Sequence, residues 1–382
     1  MNRNVNSDMD WLTEAVQSRL HDNGYSRGLP RRAFLDPDIP SKEYDAWLSG
    51  TWLLAGTAHE IPKSGDMMPV PYLRLFLARG RDGAIRAFHN ICRHRGHELV
   101  ADCKNAAAIV CPYHGWSYDL KGSLRTTSEF SGKTGELAEG FNRSNFSLKL
   151  VRCEQWHDLV FINLDGKAPP LSDHLASLNS RVGKYPLSIA RPFHTFEHGE
   201  VKANWKLVME NSLEPYHTPY VHSKTGAGIP LGEHYTIIKD GLIGCGVDRP
   251  DPDGKAVAEG SIVGESHFLS VPPLLIFVIY ANSVVIVHRN LPSLERPDRT
   301  WRTVYLYDIG ETPLTEEEKQ EWRDLTRIIH LEEDGPVYEN IQRGKLSPVT
   351  DDGGILSPVW EKPVRAFYDL WFGKMTAQED TP

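Results

Sequence analysis

The sequence predicts an α+β protein built from two unlike parts. Strand-like runs fill the stretch from Trp52 to Leu164, with no amphipathic helix among them. A Gly/Pro-rich segment, Asp165 to Leu171 with Gly166, Pro169 and Pro170, then interrupts the pattern. Beyond it, helical and strand periodicities alternate to the end. At about 150 residues per domain, 382 residues make two domains or three. The expected bounds are a helical N-terminal segment over 1–45 packing on the second domain, a β-rich domain over 46–166 and a mixed domain over 172–382.

Each element has its own signal. Leu12, Val16 and Leu20 fall at i, i+4 and i+8 and predict a short helix between Asp10 and Leu20. Ala84–Asn90, Ala107–Cys111 and Leu159–Leu164 are runs of strand length, and Trp116–Leu120 runs into Lys121-Gly122, a hairpin turn. In the second part, Trp205, Val208, Met209 and Leu213 give an apolar face to a helix from Asn204 to about Tyr216. Gly246–Glu265 reads as a long loop, a candidate lid. Leu274–Tyr280 and Val284–His288 flank Ala281-Asn282-Ser283 as a buried hairpin, and Trp301–Asp308 continues the sheet. Thr315 and Glu318 form a capping box for a long helix whose inner face carries Trp322, Leu325, Ile328 and Ile329. Gly335-Pro336 should break or kink that helix and Gly344 should stop it. Trp360, Val364, Phe367 and Trp371 mark a final helix.

Composition removes several classes of function. The net charge is −9, with no basic run, which argues against a nucleic-acid binder or a protein of anionic membrane surfaces. No apolar run approaches the ~20 residues of a membrane span, and the polar N-terminus carries no leader-like apolar core. Five cysteines, thinly spread, are not a disulfide framework; they predict a reducing compartment, the cytoplasm. There, a Cys/His pattern is a metal site before it is a set of bridges.

Such a pattern is present twice over. Cys92-Arg93-His94 and Cys111-Pro112-Tyr113-His114 each offer one thiolate and one imidazole, and each follows a predicted strand. Two imidazoles can replace two thiolates on one iron of a [2Fe-2S] cluster. Two Cys and two His also suit tetrahedral zinc, although zinc fingers pair two cysteines in one half and two histidines in the other. His97 and His89 read as loop and strand side chains, and Cys103 as a small buried or half-buried residue.

A second set lies downstream, in Glu210-Asn211-Ser212-Leu213-Glu214-Pro215-Tyr216-His217-Thr218-Pro219-Tyr220-Val221-His222. Five residues of regular helix would set the two histidines about 140° apart. Pro219, by ending or distorting the helix, would swing His222 back. Two imidazoles and one carboxylate leave open positions on Fe(II) for O₂ and substrate. Asp334, just before the predicted kink, is the candidate carboxylate; the bland alternative puts it on a solvated acidic face with Glu332 and Glu333.

With its Gly96 and Gly115-Trp116, the first pattern resembles the Rieske motif. His97 and Tyr113 stand where respiratory Rieske proteins carry a disulfide, which points to the oxygenase-like and ferredoxin-like branch. The two constellations together, about a hundred residues apart, resemble the catalytic α-subunits of Rieske non-haem iron oxygenases over roughly residues 40–350. The resemblance implies a β-rich Rieske domain, then a catalytic domain with a curved antiparallel sheet covered by helices. It implies that Cys92 and Cys111 hold one iron of the [2Fe-2S] cluster, that His94 and His114 hold the other, and that His217, His222 and Asp334 hold a mononuclear Fe(II). Glu214 occupies the place of a carboxylate that bridges to a Rieske histidine of a neighbouring subunit, which implies an oligomer, most simply a homotrimer. Electrons would come from NAD(P)H through a flavin/iron–sulfur reductase, with or without a ferredoxin, since no Gly-rich dinucleotide fingerprint is present. Many ring-hydroxylating members carry Asp at the Glu214 position, and Glu looks more like the carnitine and betaine branch.

The expected activity is therefore hydroxylation or oxidative N-demethylation of a small organic substrate, such as a quaternary ammonium compound. An aromatic cage for the cation would draw on Phe268, Phe277, Tyr280 and Tyr307. The alternative substrate is an aromatic acid, which would need an Arg or Lys near an apolar pocket. From other classes come a Rieske electron carrier fused to a non-catalytic ligand-binding domain, and a zinc-binding interaction protein.

Overall fold

The computed structural model describes residues 11–12, 25–133, 137, 139–225, 230–247, 265–280 and 283–377. The helix expected over Asp10 to Leu20, the loop over Gly246 to Glu265 and the turn residues Ala281-Asn282 lie, but for their ends, outside the described residues. Contacts divide the chain into two units: Leu48–His174, and Met1–Trp47 together with Leu175–Pro382.

The first unit is a seven-stranded antiparallel sheet and a small three-stranded one. In the large sheet, Leu75–Arg79 and Ile85–His89 form a hairpin whose turn uses Gly83 at φ 78°. The small sheet, Ile109–Val110, Ser117–Tyr118 and Leu124–Thr126, contains the Lys121-Gly122 hairpin expected from sequence. Asp119 fixes that turn by accepting from the backbone N–H of Lys121 and Ser123, at 2.9 Å each. Glycine is required at 122: φ is 87°, and a Cβ would lie 2.5 Å from the Phe88 ring. Phe76, Phe88, Trp116 and Tyr118 fill the core beneath the Cys/His loops.

The second unit is organised by a seven-stranded antiparallel sheet in the order Arg191–Val201, Thr300–Asp308, Val284–Pro292, Leu275–Tyr280, Ser266–Val271, Leu242–Val247 and Tyr235–Lys239. The expected hairpin is there, Tyr280 pairing with Val284. Its strands are buried at every position, because both sheet faces are covered.

Five helices matter for the site: α1 (Trp205–Leu213), α2 (Thr218–Val221), α3 (Glu316–Ile328), α4 (Asp334–Gly344) and α5 (Lys362–Thr376). Asn204 caps α1 by accepting from the Lys206 N–H at 3.0 Å. The expected capping box of α3 is formed by Thr315 and Glu318. A buried ion pair ties the N-terminal segment to this unit. Glu43 accepts from Lys206 Nζ (2.5 Å), Trp205 Nε1 (2.7 Å) and Trp371 Nε1 (2.6 Å). Removing one partner of such a pair strands a buried charge at a cost of about 3–5 kcal/mol.

Two expectations about helices need correction. The helix from Asn204 stops at Leu213, with Glu214 already extended at φ −135°, and not near Tyr216. The breaker is Pro215, which disfavours helical geometry in the residue before it; Pro219 instead sits in the first turn of α2, where a proline is accommodated. Second, of the break or kink expected at Gly335-Pro336, the break does not occur. The chain passes from α3 through a π turn, Ile329–Glu333, directly into α4. The wider turn absorbs the N–H that Pro336 lacks. Glycine at 335 lets the backbone close up, since a Cβ there would be 2.4 Å from the His330 carbonyl oxygen.

Candidate functional site

The Cys/His pattern folds into two loops with the same hydrogen bonds. Gly96 N–H donates to the Cys92 carbonyl and Gly115 N–H to the Cys111 carbonyl, each at 3.0 Å; Cys92 N–H donates to the His97 carbonyl and Cys111 N–H to the Trp116 carbonyl, each at 2.8 Å. Both glycines have positive φ, 76° and 67°, which explains their place in the motif. The loops face one another, with the His94 and His114 ring centroids 4.7 Å apart and His94 stacked on Trp116 at 4.9 Å. Cys92 and Cys111 are buried side by side, whereas Cys103 is exposed, contrary to expectation. His97 and Tyr113 face each other across the loops at 5.8 Å. Tyr118 Oη accepts from the Arg93 N–H at 3.0 Å and is therefore free to donate to Cys92 Sγ at 3.3 Å.

These residues fit a two-iron cluster. The two thiols form one pair and the two imidazoles another, and Nδ1 of both His94 and His114 is buried without a partner. A single zinc would need all four ligand atoms to converge. Among the described residues, the cluster of three or more ligand atoms lying within 4.8 Å of one another is a different one: His217, His222 and Asp334.

That second cluster spans 118 residues of sequence. His217 and His222 flank α2 as its N- and C-caps, which settles how a spacing of five brings both rings together, 5.3 Å apart. Asp334 opens α4 beyond the π turn; its Oδ1 stands 3.7 Å from His217 Nε2 and 3.6 Å from His222 Nε2. Each imidazole is held at Nδ1 by a carboxylate. Glu214 Oε1 lies 2.7 Å from His217 Nδ1, and Glu333 Oε2 lies 2.8 Å from His222 Nδ1. Such bonds fix the tautomer and leave Nε2 as the ligand atom. Asn211 reaches Asp334 Oδ1 at 3.4 Å. Two histidines and one carboxylate converging on a point, with one side open to a cavity, fit Fe(II).

The three consecutive acids have three fates. Glu332 is the solvated one, paired with Lys224 and Arg327. Glu333 is buried and also accepts from Thr225 Oγ1 (2.8 Å) and the Lys224 N–H (2.9 Å). Asp334 faces the histidines. The acidic-face alternative thus describes Glu332 alone. Sequence reasoning misses Glu333 and Asn211; the only signal for Glu333 is its adjacency to Asp334.

The cavity beside this cluster has a volume of about 130 Å³. The middle of its sheet side is one cross-strand row, Cys245–Phe268–Val278–Ile286, set by consecutive pairings on four strands. Tyr280 and Trp322 close one end, 5.1 Å apart, and Phe268 meets Tyr280 edge-on at 5.7 Å. Of the four aromatics expected in a cage, Phe268 and Tyr280 line the cavity. Phe277 points to the opposite sheet face because side chains alternate, and Tyr307 is also absent from the lining. Trp322, Leu325 and Ile329, expected to form a core face, line the cavity instead.

Comparison with known proteins now bears on both sites. The model of the Rieske [2Fe-2S] domain matches residues 51–136, and that of the ring hydroxylating alpha subunit (catalytic domain) matches residues 184–377. The chain belongs to the ring-hydroxylating alpha-subunit family. It is a Rieske non-haem iron oxygenase, with a [2Fe-2S] cluster and a mononuclear iron as cofactors and a reductase as its source of electrons. The oxygenase is 28% identical over 333 residues to the carnitine monooxygenase oxygenase subunit of Escherichia coli (strain K12), covering 84% of each chain. It is 33% identical over 215 residues to the glycine betaine monooxygenase oxygenase subunit of Chromohalobacter salexigens, covering 55% of this chain and 46% of that one. The crystal structure of the quaternary ammonium Rieske monooxygenase CntA with an inhibitor shares its fold, with a TM-score of 0.78 and 23% identity over 95% of this chain and 98% of that one. No helix among the described residues is long and apolar enough to cross a membrane.

Proposed function

We propose that this oxygenase hydroxylates the carbon next to the nitrogen of a small quaternary ammonium compound, with collapse to an N-dealkylated amine and an aldehyde. The carrying observation is the aromatic wall of Phe268, Tyr280 and Trp322 on the cavity that opens to His217, His222 and Asp334. Ring faces attract a cation that cannot donate hydrogen bonds. The carnitine and glycine betaine relatives support the same substrate class.

Cys92, Cys111, His94 and His114 would hold the cluster, and His217, His222 and Asp334 the iron. When bound, these groups supply single electrons and O₂ activation respectively. The chain's residues do the rest. Glu214 and Glu333 hold the two imidazoles in the ligating tautomer, and Asn211 steadies Asp334. Val278, Ile286, Leu325 and Ile329 keep water from the reacting carbon. In the net reaction one oxygen atom enters the C–H bond and the other leaves as water with two electrons and two protons. The resulting carbinol breaks its C–N bond to release amine, aldehyde and a proton.

Glu214 is also the proposed bridge to a Rieske histidine of a neighbouring subunit in a homotrimer. Its carboxylate accepts from His217 Nδ1, the His217 N–H and the Tyr216 N–H. Of about four lone-pair sites on a carboxylate, one is left for a further donor. The reductase would be a flavin/iron–sulfur protein, with or without a ferredoxin, and the compartment the cytoplasm. The test is a reconstituted assay with a reductase and a substrate panel. Quaternary ammonium compounds should drive O₂ uptake with stoichiometric aldehyde, and turnover of benzoates alone would overturn the reading.

A further inference from the structure

The cavity has two chemically opposite ends. The aromatic end lies at Tyr280, which pairs with Val284. Four residues along the same strand, His288 pairs with Ile276. The two rows are therefore about 13 Å apart by strand rise, on the same sheet face. His288 and His330 line this second end, their rings 5.1 Å apart.

Behind them stands Arg302, 1% exposed. Its Nη2 lies 2.5 Å from His288 Nδ1. A guanidinium only donates, so His288 Nδ1 must accept, and its remaining ring proton is on Nε2. Nε and Nη1 of Arg302 are buried without a partner, as is Nδ1 of His330. Among the described residues no carboxylate pairs with Arg302. Burial and the nearby guanidinium both hold His288 and His330 well below their ordinary pKa, so both are neutral. A fully buried arginine without a counter-ion is costly to the fold on its own. An anion delivered from outside would remove that cost.

We infer that the His288/His330 end of the cavity, backed by Arg302, is an anion subsite that takes the carboxylate of the substrate, His288 Nε2–H donating directly and Arg302 acting as the positioning residue behind it. The substrate class is then a quaternary ammonium carboxylate, a zwitterion with its cation against Phe268, Tyr280 and Trp322 and its anion some distance away. An amino alcohol with the same cationic head lacks the second half of the recognition. The inference rests on the quaternary-ammonium reading for the cationic end only; the anionic end stands on His288, His330 and Arg302.

Equilibrium binding to the holoenzyme separates the two. Calorimetric titrations would use L-carnitine, glycine betaine, choline and benzoate as probes, on wild type and on His288→Phe and His288→Gln. The better zwitterion should bind at least about tenfold tighter than choline, the value of one charge-assisted hydrogen bond. His288→Phe should erase that advantage while leaving choline within about twofold, and His288→Gln, which keeps an N–H donor, should restore part of it. Benzoate binding that is lost in His288→Phe, with no quaternary compound bound, would keep the anion subsite and overturn the cationic reading. Choline binding as tightly as the zwitterions to wild type would overturn the subsite and leave the cationic reading standing, and it needs no variant to fold.

Discussion

The two metal sites of this chain are built on opposite plans. The Cys/His site draws its four candidate ligands from 23 consecutive residues, Cys92 to His114, on two loops that repeat one hydrogen-bond pattern. Its geometry is local: a glycine with positive φ closes each loop, and the chain's own connectivity sets the ligand spacing. The His/His/Asp site draws on segments more than a hundred residues apart, and no single loop fixes it. Its precision comes from a ring of partners, Glu214, Glu333 and Asn211, each holding one ligand. A site assembled from distant segments needs such partners because side-chain torsions, not chain connectivity, set the distances.

This contrast can be broken most directly by removing one ligand from each site. Wild type should hold about three irons and two acid-labile sulfides per chain. His217→Ala should lose one iron and keep its sulfide and its visible absorption. Cys111→Ala should lose the sulfide and keep one iron. Metal and sulfide analysis of the two variants reads both, and loss of all metal from either one would mean that the sites are not independent.

The supporting carboxylates come next in size. Glu333→Ala removes the partner that orients His222, so iron affinity should fall by about 10–100-fold, measured by chelator competition, while turnover at saturating iron stays within a few fold. Glu214→Gln should differ in kind. Turnover should drop by at least about tenfold with the iron content restored by added Fe(II), because the residue is proposed to serve two subunits. Single-turnover spectra should then show the reduced cluster failing to reoxidise; unimpaired reoxidation would reduce Glu214 to a local orienting role.

The smallest effect sharpens the local side of the comparison. Tyr118→Phe removes one hydrogen bond to Cys92 Sγ. A donor on the sulfur favours the more negative, reduced cluster, so its loss should lower the reduction potential. At about 1 kcal/mol for the bond, the shift is about 40 mV for one electron, readable by spectroelectrochemistry. Metal content should not change.

Much of this molecule is legible in its short-range signals. The two motifs name their own candidate ligands, because each ligand type has a chemical preference and each motif is compact. The capping box at Thr315 and the buried hairpin at Tyr280 and Val284 are legible for the same reason: their signals lie within a few residues. A local signal fails where it has two outcomes. Pro215 and Pro219 both disfavour helix, and only the fold shows that Pro215 ends α1 while Pro219 begins α2. Gly335-Pro336 reads as a break or a kink, and the fold shows a π turn just before it rather than a break.

By itself, then, the sequence determined the class of protein and the chemistry of its two metal sites, and it named all seven candidate metal ligands, six from short stretches whose spacing the backbone enforces and Asp334 from the family resemblance. The tertiary structure alone decided the separate roles of Glu332 and Glu333 beside Asp334, which aromatics reach the cavity and that Arg302 lies buried behind His288. The physical reason is register. A shift of one residue in a strand, or one extra residue in a helical turn, moves a side chain to the opposite face, and that choice is made by the packing of the whole sheet and its covering helices rather than by any local stretch of chain.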